Sequence, residues 1–103
     1  MSRENRKDWR HSISSNADLY IMGGWIECML FDISCGGVQI ITTHPISPLF
    51  NTKLRILNKS VYDVKVRWTQ QKEKKAPLVV GMQFDKPIDP IEPIVEMLNK
   101  KNS

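Results

Sequence analysis

Arg6 and Arg10 stand four positions apart in the basic segment Arg6-Lys7-Asp8-Trp9-Arg10. Residues i and i+4 point to one side of the chain in a helix and in a strand alike, so the two guanidiniums are presented together in either case. Extended, their Cα atoms lie roughly 13 Å apart. The guanidinium fork grips phosphates and guanine edges bidentately, and two forks at this reach suit a ligand with more than one phosphate, or with a phosphate and a guanine edge. A second group is Asp32-Ile33-Ser34-Cys35-Gly36-Gly37. A turn that begins with Asp and Ser and ends in glycines exposes backbone donors and a carboxylate able to accept hydrogens from a guanine base. Each group also has an ordinary explanation. Basic pairs are common in solvated termini, Asp and Ser bond their own turns, and Gly36 or Gly37 can serve to supply positive φ.

The charge pattern sets these two groups apart. Net charge is +4 over 103 residues. Residues 1–11 carry Arg3, Arg6, Lys7 and Arg10 against Glu4 and Asp8, a net charge of +2, and hold three of the five arginines. Between His11 and Thr52 there is no Lys or Arg, only Asp18, Glu27 and Asp32. Lys53, Arg55, Lys59, Lys65 and Arg67 then outweigh Asp63. The arginine pair thus precedes a segment free of competing cations.

Several function classes are excluded. The chain is long enough for one core and too short for two. No apolar run approaches the ~20 residues of a membrane helix, and the polar start lacks a secretory core region, so membrane insertion is not expected and a cytoplasmic location is. Cys28 and Cys35 read as reduced thiols; without a Cys-x-x-Cys and with only His11 and His44 beside them, no metal or cofactor is expected. Nucleophile, zinc, P-loop, dinucleotide and EF-hand motifs do not occur, so the chain does not read as an enzyme.

The elements that must position the two groups are mostly strands. Asp18 to Met22, a Gly23-Gly24 turn and Trp25 to Ile33 read as a hairpin. Gly36-Gly37 leads into Val38 to Thr42, Pro45 and Pro48 mark a loop, and Lys53 to Leu57 is followed by an Asn58-Lys59 turn. Tyr62, Val64, Val66 and Trp68 then alternate with Asp63, Lys65 and Arg67, the clearest strand in the chain. Leu78 to Phe84 is the sixth. Asp89-Pro90-Ile91-Glu92 reads as a helix start, with an Asp cap and Pro in first position, and Ile91, Ile94, Val95 and Leu98 form one apolar stripe. The second strand is apolar on both faces, with Trp25, Met29, Phe31 and Ile33 on one side and Ile26, Cys28 and Leu30 on the other. Such a strand is covered twice, by the opposite wall of a small barrel and by the terminal helix. The fold class is therefore all-β with one C-terminal helix, divided into a flexible arm over 1–12 and a barrel over 13–103 whose helix spans about 89–101.

Taken together, the two motifs resemble the PilZ family, whose pattern is RxxxR followed about twenty residues later by D/NxSxxG. Arg6 and Arg10 match the first element, and Asp32, Ser34 and Gly37 match the second. Val66-Arg67-Trp68 and Gly81-Met82-Gln83-Phe84 look like late strands of that family, so the resemblance runs from about residue 3 to 85. It implies a six-stranded antiparallel β-barrel that binds the bacterial second messenger cyclic di-GMP. Arg6 and Arg10 would contact its phosphates and guanine edges, and Asp32, Ser34 and Gly37 would hold a guanine from the barrel rim. With no output domain in the chain, the effect of ligand would pass through a protein partner, after the arm has folded over the rim.

Three further residues bear on that reading. Trp9, between the arginines, suits either anchoring the arm or stacking on a base; Gly36 shares the rim turn; Trp68 ends the strand face of Tyr62, Val64 and Val66, which assigns it to the core, with stacking on guanine as the alternative. A basic barrel for single-stranded nucleic acid, with Trp9 or Trp68 as platforms, is the competing function; the placement of Trp68 in the core counts against it, and DNA is not expected as a partner. A PilZ-like interaction module without ligand is a third possibility, opposed by the intact arginines and rim turn.

Overall fold

The computed structural model of the protein describes residues 10–101. Six strands, β1 (His11–Ile21), β2 (Gly24–Ile33), β3 (Gly37–Thr42), β4 (Asn51–Ile56), β5 (Ser60–Gln70) and β6 (Leu78–Phe84), precede one helix, α1 (Glu92–Lys101). Every pairing is antiparallel, and the strands close into a barrel in the order β1-β2-β3-β6-β5-β4. Closure removes both sheet edges, with β1 meeting β4 through Ala17, Asp18 and Leu19 opposite Ile56, Arg55 and Leu54. The expected fold class and the expected six strands are the observed ones.

Alternation fills the barrel. Leu19, Leu30, Ile40, Leu54, Val66 and Val80, one from each strand, are wholly buried, while Asp18, Lys53, Asp63 and Lys65 lie on the outside, paired across strands as Lys53–Asp63 (2.6 Å) and Arg55–Asp18 (3.1 Å). On the same outer face Trp25 stands edge-on to Tyr20, and Arg55 lies 4.3 Å over the Trp25 ring. The helix contributes Val95 and Leu98 to the same buried cluster, and Ile91, just before it, joins them.

Several boundaries differ from expectation. β1 begins at His11, seven residues before the expected start, so the last two residues assigned to the arm belong to the barrel. Its inward positions there are Ile13, Ser15 and Ala17, of which only the first is large and apolar, so there is no apolar alternation to read, and pairing with β2 makes the strand. The first turn is Met22-Gly23 rather than Gly23-Gly24: Ile21 pairs with Gly24, and Met22 (φ 49°) and Gly23 (φ 86°) take the two left-handed positions that a tight hairpin requires. The β4–β5 turn is one residue longer than expected, with Leu57 and Asn58 both left-handed and Lys59 donating back to the Ile56 carbonyl. Helix α1 starts at Glu92, three residues after the expected cap, because the carbonyl that receives the first helical bonds, from Ile94 and Val95, is that of Ile91. Pro90 therefore precedes the helix instead of opening it.

The helix covers a different surface from the one expected. It packs chiefly on β1, and the outer face of β2 remains open, with Trp25 and Met29 both exposed. Ile33, expected on the same side as Trp25 and Met29, is wholly buried. A bulge explains the reversal: Leu30 pairs with Ile40 but Asp32 pairs with Gln39, so one extra residue, Phe31, shifts all that follows to the other side.

Candidate functional site

That bulge turns Asp32 outward. Without it, strict alternation from the buried Leu30 would carry Asp32 into the barrel and leave a carboxylate among apolar side chains. With it, Asp32 reaches the outer wall beside the turn that joins β2 to β3.

The turn is fixed by its own polar groups. The Ser34 amide donates to the Gly37 carbonyl (2.8 Å), and the Ser34 hydroxyl, buried with its residue, accepts from the Gly36 amide (3.3 Å). Gly36 and Cys35 are held from outside the turn, since the Phe84 amide donates to the Gly36 carbonyl (2.9 Å) and the Ile88 amide to the Cys35 carbonyl (2.8 Å). Gly37 is required sterically, because a Cβ there would stand 2.2 Å from the backbone oxygen of Met82. Its role in the fold is thus close approach to β6 rather than positive φ.

Arg10 closes the group. Its Nε donates to Asp32 Oδ1 at 2.8 Å and its Nη1 to Ser34 Oγ at 3.4 Å, so one guanidinium bridges the two polar residues of the rim motif. The fork geometry makes this possible, since two donors leave the same planar group in different directions. Arg6 and Trp9 lie outside the described residues.

Gln39 is a member of the site that sequence reasoning missed. Its Nε2 donates to Asp32 Oδ2 at 3.0 Å, which leaves the carboxylate held at both oxygens. Gln39 sits unremarkably inside a strand, and only the register set by the Phe31 bulge places it opposite Asp32.

Trp68 is not a core residue. Val66 pairs with Met82 but Trp68 pairs with Gly81, a second bulge that places Arg67 and Trp68 against one residue of β6 and reverses the expected orientation. The indole lies over Gly81, at 40% exposure. Gln39 also pairs with Gly81, so Ser12, Asp32, Gln39, Gly81 and Trp68 follow one another laterally across five strands. The result is an outer wall with a bridged carboxylate, an amide, a gap without a side chain and an indole, flanked by Arg10 at one end and Arg67 at the other. Hydrogen-bonding groups and a π-face side by side can take a flat heterocycle that has polar edges.

A closed six-stranded antiparallel barrel with a terminal helix, carrying an arginine-bridged Asp-x-Ser turn at its rim, defines a small barrel domain with a polar outer-wall site. The chain belongs to the PilZ domain family, whose model matches residues 4–99. Among solved structures it is similar to YcgR from Escherichia coli, described in complex with c-di-GMP, with a TM-score of 0.57 and 13% sequence identity over 91% of this chain. The chain spans 42% of the length of that protein. The curated proteins include no match. Among the described residues no helix is long and apolar enough to cross a membrane.

Proposed function

We propose that the protein is a receptor for cyclic di-GMP that binds the dinucleotide against the outer wall beside the β2–β3 turn. The observation that carries this reading is the bridge from Arg10 to Asp32 and Ser34, which brings the two halves of the family motif, 22 positions apart in the chain, to one place. Asp32 supplies acceptors for guanine, the buried Ser34 fixes the turn beside it, Arg10 and Arg6 supply cations for the two phosphodiesters, and Trp68 supplies a stacking face. The bent path of Asp32 supports the assignment, because the bulge brings its carboxylate to the outer wall, beside Arg10 and Gln39.

Signalling, on this reading, follows from the place of Arg6 in the chain. Arg6 belongs to the segment that precedes β1, and a ligand gripped by both Arg6 and the rim draws that segment over the wall. The composite surface of arm, ligand and barrel is then what a protein partner recognises. Amide exchange in residues 3–11 and 32–37 should slow together when cyclic di-GMP is added; unchanged exchange in the arm at saturating ligand would leave the receptor and remove the switch.

The outward position of Trp68 also favours a second reading, single-stranded nucleic acid stacked on the indole. The two are separated by calorimetric titration of cyclic di-GMP beside a linear guanosine dinucleotide and an oligonucleotide. Saturable binding of the cyclic compound alone supports the receptor; comparable binding of all three, falling steeply with salt, supports the alternative.

A further inference from the structure

Asp32 is held from two sides by groups of different character. Arg10 is charged and exposed, and it is also the side chain that a ligand phosphate would attract. Gln39 is neutral and half-buried, anchored in the middle of β3 by pairing with both β2 and β6. When Arg10 turns to a phosphate, the donor left on the carboxylate is Gln39 Nε2, at 3.0 Å from Oδ2.

The direction of that carboxylate bears on which base it accepts. Each carboxylate oxygen has about two acceptor sites, so one remains on Oδ1 and one on Oδ2 after Arg10 and Gln39 have bonded. Guanine offers two adjacent donors on one edge, the ring N1–H and the exocyclic amine, which two coplanar oxygens accept side by side. Adenine offers a ring nitrogen that is an acceptor, and it meets the same carboxylate with lone pair against lone pair. A carboxylate free to rotate loses the paired geometry for guanine and relaxes the conflict with adenine. One held at Oδ2 keeps both.

We infer that Gln39 is a positioning residue that sets base specificity, fixing the Asp32 carboxylate for the paired donors of guanine and against adenine. The inference rests on the reading of this wall as a cyclic di-GMP site.

The test compares cyclic di-GMP with cyclic di-AMP, which carry the same two phosphodiesters, so the ratio of their affinities cancels the phosphate contacts. Wild type, Gln39→Met and Gln39→Lys are titrated with both, with thermal unfolding as a check on folding. Gln39→Met keeps the length and removes the donor; it should weaken cyclic di-GMP by roughly tenfold, the scale of one hydrogen bond to a charged group, and narrow the guanine-to-adenine ratio by a similar factor. Gln39→Lys keeps a donor within reach of Oδ2 and should retain the wild-type ratio. The inference is overturned if Gln39→Met keeps the wild-type ratio, or if both variants lose it alike. In either case wild-type binding of cyclic di-GMP leaves the receptor reading intact, whereas wild type that binds neither dinucleotide removes that reading and this inference with it.

Discussion

The indole of Trp68 occupies the space that a side chain at Gly81 would need: a Cβ there would stand 2.2 Å from the Trp68 Cε2. Gly37 has a contact of the same length, but with the backbone oxygen of Met82. An aromatic ring at 40% exposure can swing outward, whereas a strand backbone inside a closed barrel cannot yield without disturbing its ladder. Gly81→Ala should therefore leave the unfolding temperature nearly unchanged, shift the tryptophan emission and weaken cyclic di-GMP. Gly37→Ala should cost about 1–3 kcal/mol of stability, the range for overpacked cores. Denaturant titration of both variants checks the contrast, and equal destabilisation would show that the Trp68 ring is as fixed as the β6 backbone.

Leu98 is wholly buried in the cluster shared with the barrel. If the helix is part of the core, Leu98→Ala should destabilise the whole domain by about 2–5 kcal/mol in a single cooperative transition. If the helix is a detachable cover, far-UV circular dichroism will instead show loss of helix before loss of strand.

Much of this arrangement is legible in the chain, and the parts that are not have a common cause. Strands announce themselves where inward residues are large and branched, as with Val64 and Val66 or Leu78 to Val80, and the helix where Ile91, Ile94, Val95 and Leu98 recur at helical spacing. The front half of β1 does not, because Ser15 and Ala17 fill its inward positions. The two bulges do not either, since alternation of residue types continues past Phe31 and Arg67 while the backbone has changed sides. Those two shifts decide the site: the first turns Asp32 outward and sets Gln39 beside it, and the second brings Trp68 out of the core. Motif spacing found Arg10, Asp32 and Ser34 because it is indifferent to register; it passed over Gln39 because a lateral neighbour across strands has no fixed spacing.

Cys28 lies in the barrel wall, and burial pushes its thiol up to about 12, with the nearby Asp18 charge adding to the rise. The unfolded thiol titrates near its ordinary value of 9.0, so the folded state favours the protonated form. The stability this contributes is fully present below pH 9 and is lost as pH climbs towards 12. The unfolding free energy should accordingly fall across that interval more steeply in wild type than in Cys28→Ala, whatever the fixed cost of the smaller side chain. Parallel slopes would place the thiol in a more polar setting. At neutral pH the same burial should leave Cys28 unalkylated by iodoacetamide until the protein is unfolded.

Arg10 tests the site itself. Its contact with Asp32 is a partly exposed ion pair, with the two side chains at 42% and 18% exposure, so removing it should change stability by less than about 1 kcal/mol. Binding is another matter, because a guanidinium that meets a phosphate or a guanine edge makes charge-assisted bonds. Arg10→Ala should weaken cyclic di-GMP by roughly ten- to hundredfold. Arg10→Lys separates charge from geometry. A lysine ammonium is a point donor on a flexible stem, unable to reproduce the fork that places Nε on Asp32 and Nη1 on Ser34. For a specific receptor, lysine should recover only a small part of the lost affinity, and salt should weaken wild type and Arg10→Lys to a similar degree. For a barrel that attracts nucleic acid by charge, Arg10→Lys should behave as wild type, and affinity should fall steeply with salt in both. Titrations of the two variants at low and high salt, with unfolding curves recorded on the same samples, distinguish these outcomes; full recovery by lysine would mean that the bridge across Asp32 and Ser34 organises the rim without reading the ligand.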